Sequence, residues 1–134
     1  MTLVAIKGVR IKTLKKLVLT AAMVVPFTAS AGHMDVIESE FVNDCGMEEY
    51  MPIVADFNKW GEAYGYKAEI ALPLQSNNLT HYFWIGTSAN AAAFGGAWDA
   101  WRDGLSDPKS APAKLQARFD ECSVNLSRRS YDLF

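Results

Sequence analysis

The chain has little cysteine, little histidine and, past residue 31, little positive charge. Two cysteines and two histidines stand among 134 residues, and they form no C-x-x-C pair, no C-x-x-C-H haem attachment and no H-E-x-x-H zinc motif. A glycine-rich phosphate loop and a G-x-S-x-G elbow are also missing. No metal site and no cofactor is therefore expected. Beyond residue 31 no segment is long and apolar enough for a membrane helix. All 15 acids follow that position but only 8 of the 13 basic residues do, so residues 32–134 carry a net charge of about −7. An acidic chain without a basic run gains nothing from phosphate backbones or anionic lipid, which argues against nucleic-acid and membrane-surface partners.

Residues 1–31 are of another kind: five basic residues (Lys7, Arg10, Lys12, Lys15, Lys16), no acid, and then the apolar run LVLTAAMVVPF. From Leu17 to Phe27 that run is too short to span a bilayer, and Ala29-Ser30-Ala31 matches the small-x-small rule of signal peptidase. The expectation is a secretory signal peptide over 1–31, cleaved after Ala31, and one domain of 103 residues over 32–134 that is secreted or periplasmic and free of membrane after cleavage. Export places Cys45 and Cys122 in an oxidising compartment, where a disulfide is the default, and a core this small gains from a staple. Asn78-Leu79-Thr80 and Asn125-Leu126-Ser127 are glycosylation sequons that matter only in a eukaryotic secretory pathway.

The hydrophobic pattern predicts βαββα(α)β. DVIESEFV alternates Ile37, Ser39 and Phe41 against Val36, Glu38 and Glu40 as a strand. Pro52 suits the first turn of a helix whose Ile53, Phe57, Trp60 and Tyr64 share a stripe, with Gly65 as its stop. YKAEIALPL and HYFWIG are the second and third strands, separated by a polar turn. Asn90 is the expected N-cap of a second helix striped by Phe94, Trp98, Trp101 and Leu105. AKLQARFDEC forms a short third helix, and SVNLSRRSYDLF the fourth strand. Two βαβ-like halves make an α+β, ferredoxin-like fold: a four-stranded antiparallel sheet with its helices packed on one face. In that topology the end of the first strand and the start of the fourth lie at one sheet edge, where Cys45 and Cys122 fall. A bridge between them adds roughly 4 kcal/mol on a chain-entropy estimate.

The stretch HYFWIGTSANAAAFGGAWDAWRDGL concentrates three tryptophans, and its helical stripe reads first as core. The third strand does not reduce to core so easily. Tyr82 and Trp84 point to one face while His81, Phe83 and Ile85 point to the other, and a single helix layer covers only one of them. The other face therefore wants a second copy, a ligand or a different protein. Element order and this two-sided aromatic content resemble the dimeric α+β barrel superfamily, whose members include antibiotic-biosynthesis-type monooxygenases and haem-degrading enzymes. The resemblance implies ferredoxin-like subunits paired sheet to sheet and supplies no catalytic residue. FNKWGEAYGYKAEIALPL and FWIGTSANAAAFGGAWDAW are also similar to segments of small exported bacterial proteins of unassigned activity.

Candidate ligand-binding residues are His81, Tyr82, Trp84, Glu38 and Glu40. The two glutamates lie on one strand face with Cβ atoms roughly 7 Å apart, a spacing open to acid–base work, although alternating acids on a strand are usually its solvated face. His81 has the chemistry of a general base or haem ligand, and the position of a surface histidine beside a polar turn. Three function classes follow. The leading one is a non-catalytic exported module that binds a small apolar ligand or forms a homodimer through its open sheet face. The others are a small cofactor-independent oxygenase or isomerase of the α+β barrel type, and an accessory subunit of another exported protein.

Overall fold

The computed structural model describes residues 32–134, so the leader expected over residues 1–31 lies outside the described residues. Strand β1 (Gly32–Phe41) leads to helix α1 (Met47–Gly61), closed by a 3-10 turn over Glu62–Tyr64. Strands β2 (Lys67–Ala71) and β3 (Tyr82–Ser88) follow, then helices α2 (Ala91–Leu105) and α3 (Ala111–Cys122) and strand β4 (Ser123–Leu133). The sheet order is β2-β3-β1-β4 with every neighbouring pair antiparallel. This is the expected α+β, ferredoxin-like arrangement, and the helices cover one face.

Local chemistry fixes the helix ends. Asn90 Oδ1 accepts from the Ala93 N–H at 2.8 Å, and the Ser110 hydroxyl caps α3 by accepting from the Ala113 N–H. Helix α1 starts at Met47, five residues before the proline expected to open it, because Glu49 Oε2 accepts from the Gly46 N–H at 3.0 Å and nucleates an earlier turn. Pro52 sits inside the helix; its missing N–H removes the bond to the carbonyl of Glu48, an exposed residue. Gly65 takes φ +64°, the left-handed conformation that lets the chain leave the 3-10 turn for β2.

The register assigns the faces. Ile37 opposes Trp84 and Ser39 opposes Tyr82, so the odd positions of β1 and the even positions of β3 look toward the helices. There Tyr82, Trp84 and Ala68 pack against Tyr50, Ile53, Val54 and Phe57 of α1, Ala97 and Trp101 of α2, and Leu115 of α3. The expected stripe on α2 is half right: Trp101 is buried, whereas Trp98 and Leu105 are exposed, because the helix turns Ala97 inward instead. Cys45 and Cys122 form a disulfide with their Cα atoms 5.2 Å apart. It joins the chain just past β1 to the residue before β4, where the Val42 N–H also donates to the Cys122 carbonyl.

Candidate functional site

The candidate ligand-binding residues divide between the two faces of the sheet. On the open face, His81 Nδ1 donates to Glu38 Oε1 at 2.8 Å, and its Nε2 accepts from Asn78 Nδ2 at 2.7 Å. Glu40 Oε2 lies 3.7 Å from the same Nε2. The Ser127 hydroxyl donates to Glu38 Oε2 at 3.1 Å. The hydrogen bonds from His81 and Ser127 hold the Glu38 carboxyl below its usual pKa. Among the described residues no group of three or more His, Cys, Asp or Glu is placed to hold a metal ion.

Tyr82 and Trp84 lie on the other side, under the helices. Tyr82 is fully buried and stacked on Phe41 with ring centroids 4.4 Å apart, and it does not line the cavity that Trp84 enters. Trp84 belongs to a cavity of about 410 Å³ between the sheet and the helices. Its walls are aromatic: Trp60 and Phe57 from α1, Trp84 from β3, Trp98, Trp101 and Phe94 from α2, Phe119 from α3 and Tyr66 before β2. These rings hold one another edge-on, with Phe57 against Trp84 at 4.7 Å and Trp60 against Trp101 at 5.1 Å, a geometry that suits their quadrupoles.

One wall is polar. Asp35 is fully buried, and Arg128 reaches it from β4 with two parallel bonds, Nε to Oδ1 at 2.9 Å and Nη2 to Oδ2. The Tyr66 hydroxyl donates to Asp35 Oδ2 at 3.2 Å and accepts from the Trp84 indole N–H at 2.9 Å. Burial, with the Asp35 charge beside it, pushes the Tyr66 phenol well above its ordinary pKa, so it stays a neutral donor. Burial and the neighbouring Tyr82 hydroxyl do the same to Tyr50 at the far end of the cavity. Arg128 also sits over the Trp98 ring, its Cζ 4.0 Å from the centroid. This accounts for the half-exposed tryptophan: it roofs the guanidinium instead of entering the core.

Gly86 makes the close approach of Tyr66 feasible. A Cβ there would fall 1.7 Å from the Tyr66 hydroxyl oxygen, so only glycine leaves room for the phenol between Asp35 and Trp84. Next to this group, His33 Nδ1 bonds Asp132 at 3.0 Å, and its ring tilts against Phe94 with centroids 4.6 Å apart.

Asp35, Tyr66 and Arg128 were not among the expected site residues. A signal existed for Asp35, which shares the strand parity of Ile37 and Phe41 and so puts an acid on the core stripe, where it needs a buried cation. Nothing local named that cation, which stands 93 residues away.

No family model and no curated protein matches the chain. Among solved structures it is similar to SnoaB, a cofactor-independent oxygenase from Streptomyces nogalater, with 13% identity over 75% of this chain and 91% of that one, at a TM-score of 0.46. A hydroxynitrile lyase from Passiflora edulis shares 16% identity over 78% of this chain and 95% of that one, at a TM-score of 0.47. A dimeric protein of unknown function and ferredoxin-like fold from Bacteroides fragilis shares 14% identity over 75% and 93%, at a TM-score of 0.37. The ferredoxin-like assignment of this chain stands on its own strand order and one-sided helix layer.

Proposed function

We propose that the chain is a small exported binding module whose ligand, flat and largely apolar, lies in the cavity between sheet and helices. One observation carries this: all four tryptophans of the chain, Trp60, Trp84, Trp98 and Trp101, meet on that cavity. A core built only for stability closes to voids little larger than a water molecule. A space of about 410 Å³ falls instead within the range of small-molecule sites. The ligand thus moves from the open sheet face, where the sequence placed it, to the helix side. The open face, with Val36, Phe83 and Ile85 among Glu38, His81 and Arg129, is left for a second copy of the chain. Light scattering on the oxidised protein tests that pairing, and a monomer at all concentrations overturns it.

The same tryptophans report on binding. Flat naphthalene probes should quench their fluorescence and raise the melting temperature, while linear alkyl probes of similar size should do neither. A panel of flat probes without effect overturns the reading. The leader over 1–31 belongs to this proposal, and mass spectrometry of the exported product checks it by a start at Gly32.

An enzymatic reading, a small oxygenase or isomerase, draws support from the neutral Tyr66 phenol at the cavity wall. Turnover of a bound probe that is lost in Tyr66→Phe would support it. Binding without turnover supports the module.

A further inference from the structure

We infer that a β-bulge at Leu126 builds an oxygen-binding fork from Asn125 and Arg128, and that the ligand presents to it a neutral acceptor oxygen, a carbonyl and not a carboxylate. The inference rests on the cavity reading above and names the chemistry of the ligand's polar end.

Residues three apart on a regular strand point to opposite faces. Asn125 and Arg128 do not, because the β1–β4 register slips between Glu38 and Ser39. Glu38 pairs with Ser127 and Ser39 with Asn125, which leaves Leu126 without a partner. The extra residue returns Asn125 to the face of Arg128, and both line the cavity. Their register partners, Ser39 and Ile37, are two apart on β1, so the two side chains start roughly 7 Å from each other.

Each brings a donor without an occupation. Asn125 Oδ1 is taken by the Ser39 hydroxyl at 2.9 Å, which turns the amide N–H₂ outward. Arg128 spends Nε and Nη2 on Asp35, and among the described residues nothing accepts from its Nη1 or from Asn125 Nδ2. Two open donors thus stand on one face of the lining of an aromatic slot, a spacing that one oxygen at the edge of a flat ring system can bridge.

Charge decides which oxygen. The Arg128 cation is already matched by the buried Asp35 carboxylate, and the other charged side chain on the lining, Asp120, is an acid. A carboxylate ligand would meet a locally negative site in an acidic domain, whereas a carbonyl takes both hydrogen bonds without opposing that field.

The test uses three probes of one shape, 2-ethylnaphthalene, 2-acetylnaphthalene and 2-naphthoate, with dissociation constants read from tryptophan quenching. The acetyl probe should bind about five- to tenfold tighter than the ethyl probe, the worth of one or two partly exposed hydrogen bonds, and at least as tightly as the naphthoate. Asn125→Asp keeps the acceptor for Ser39 and replaces the donor with a second oxygen. It should cut the acetyl preference at least about threefold, since only the Arg128 donor remains, and binding of the oxygen-free ethyl probe to it shows that the variant is folded. Equal binding of ethyl and acetyl probes refutes the fork while the cavity reading stands. A naphthoate that binds tightest overturns the neutral assignment. Failure of all three removes the cavity reading and the fork with it.

Discussion

Removing one partner of the Asp35–Arg128 pair should cost far more on one side than on the other. Asp35 is completely buried, whereas the Arg128 side chain is 34% exposed. In Arg128→Met the carboxylate keeps only the Tyr66 hydroxyl at 3.2 Å, and a buried charge stripped of its partner costs about 3–5 kcal/mol. In Asp35→Asn the guanidinium can turn its donors to water at the cavity mouth and an amide still accepts from Tyr66, so the loss should be about 1–2 kcal/mol. A domain of this size loses about 4–8 °C of melting temperature per kcal/mol, which puts the arginine variant at least about 12 °C below the parent. The double variant should be more stable than Arg128→Met alone, because the second change removes the stranded charge. Urea unfolding of the four proteins, followed by tryptophan fluorescence, measures the whole cycle. An asparagine variant as damaged as the methionine variant, or a double variant with simply summed losses, would refute the idea that desolvation of Asp35 governs this wall.

Two further outcomes follow from the same geometry. Gly86→Ala should cost at least about 2 kcal/mol, since the new methyl overlaps the Tyr66 phenol and drives it from Asp35 and Trp84; urea unfolding checks it, and a change within about 0.5 kcal/mol would contradict the close approach. Acid should weaken the open face through Glu38. Its carboxyl titrates below the usual 4.5 when folded, so its stabilisation is present above that value and is lost as the pH falls through the lower, folded pKa. Melting temperatures recorded from about pH 6 to pH 3 should fall less steeply in Glu38→Gln, and identical slopes would discount the contact.

The fold was legible because its signals are local and agree with one another. Alternation on the strands, stripes on the helices and the caps at Asn90 and Gly65 each point to the same order, and the positions of Cys45 and Cys122 fit the resulting sheet edge. The start of α1 was misplaced because a proline speaks louder in a sequence than a glycine capped by Glu49 three residues on. Of the site, strand parity foresaw that Glu38 and Glu40 share a face of β1, and that His81 points away from Tyr82 and Trp84 on β3. It could not say which face met the helices, since both carry aromatic residues. The polar wall escaped for a different reason. Asp35 on β1, Tyr66 just before β2 and Arg128 on β4 are brought together only by the pairing of the whole sheet, and the bulge breaks the two-residue rhythm by which β4 would otherwise be read.

That bulge also bears on how related chains should be compared. One residue inserted or deleted between Ser123 and Arg128 would exchange inside for outside along part of β4 while leaving composition almost untouched. Two descendants of one ancestor could then look alike in sequence, yet one would offer an amide and a guanidinium to the slot and the other would send one of them to the opposite side of the sheet. Over this stretch the length of the segment is as heritable a determinant of what the protein holds as the identity of any residue in it.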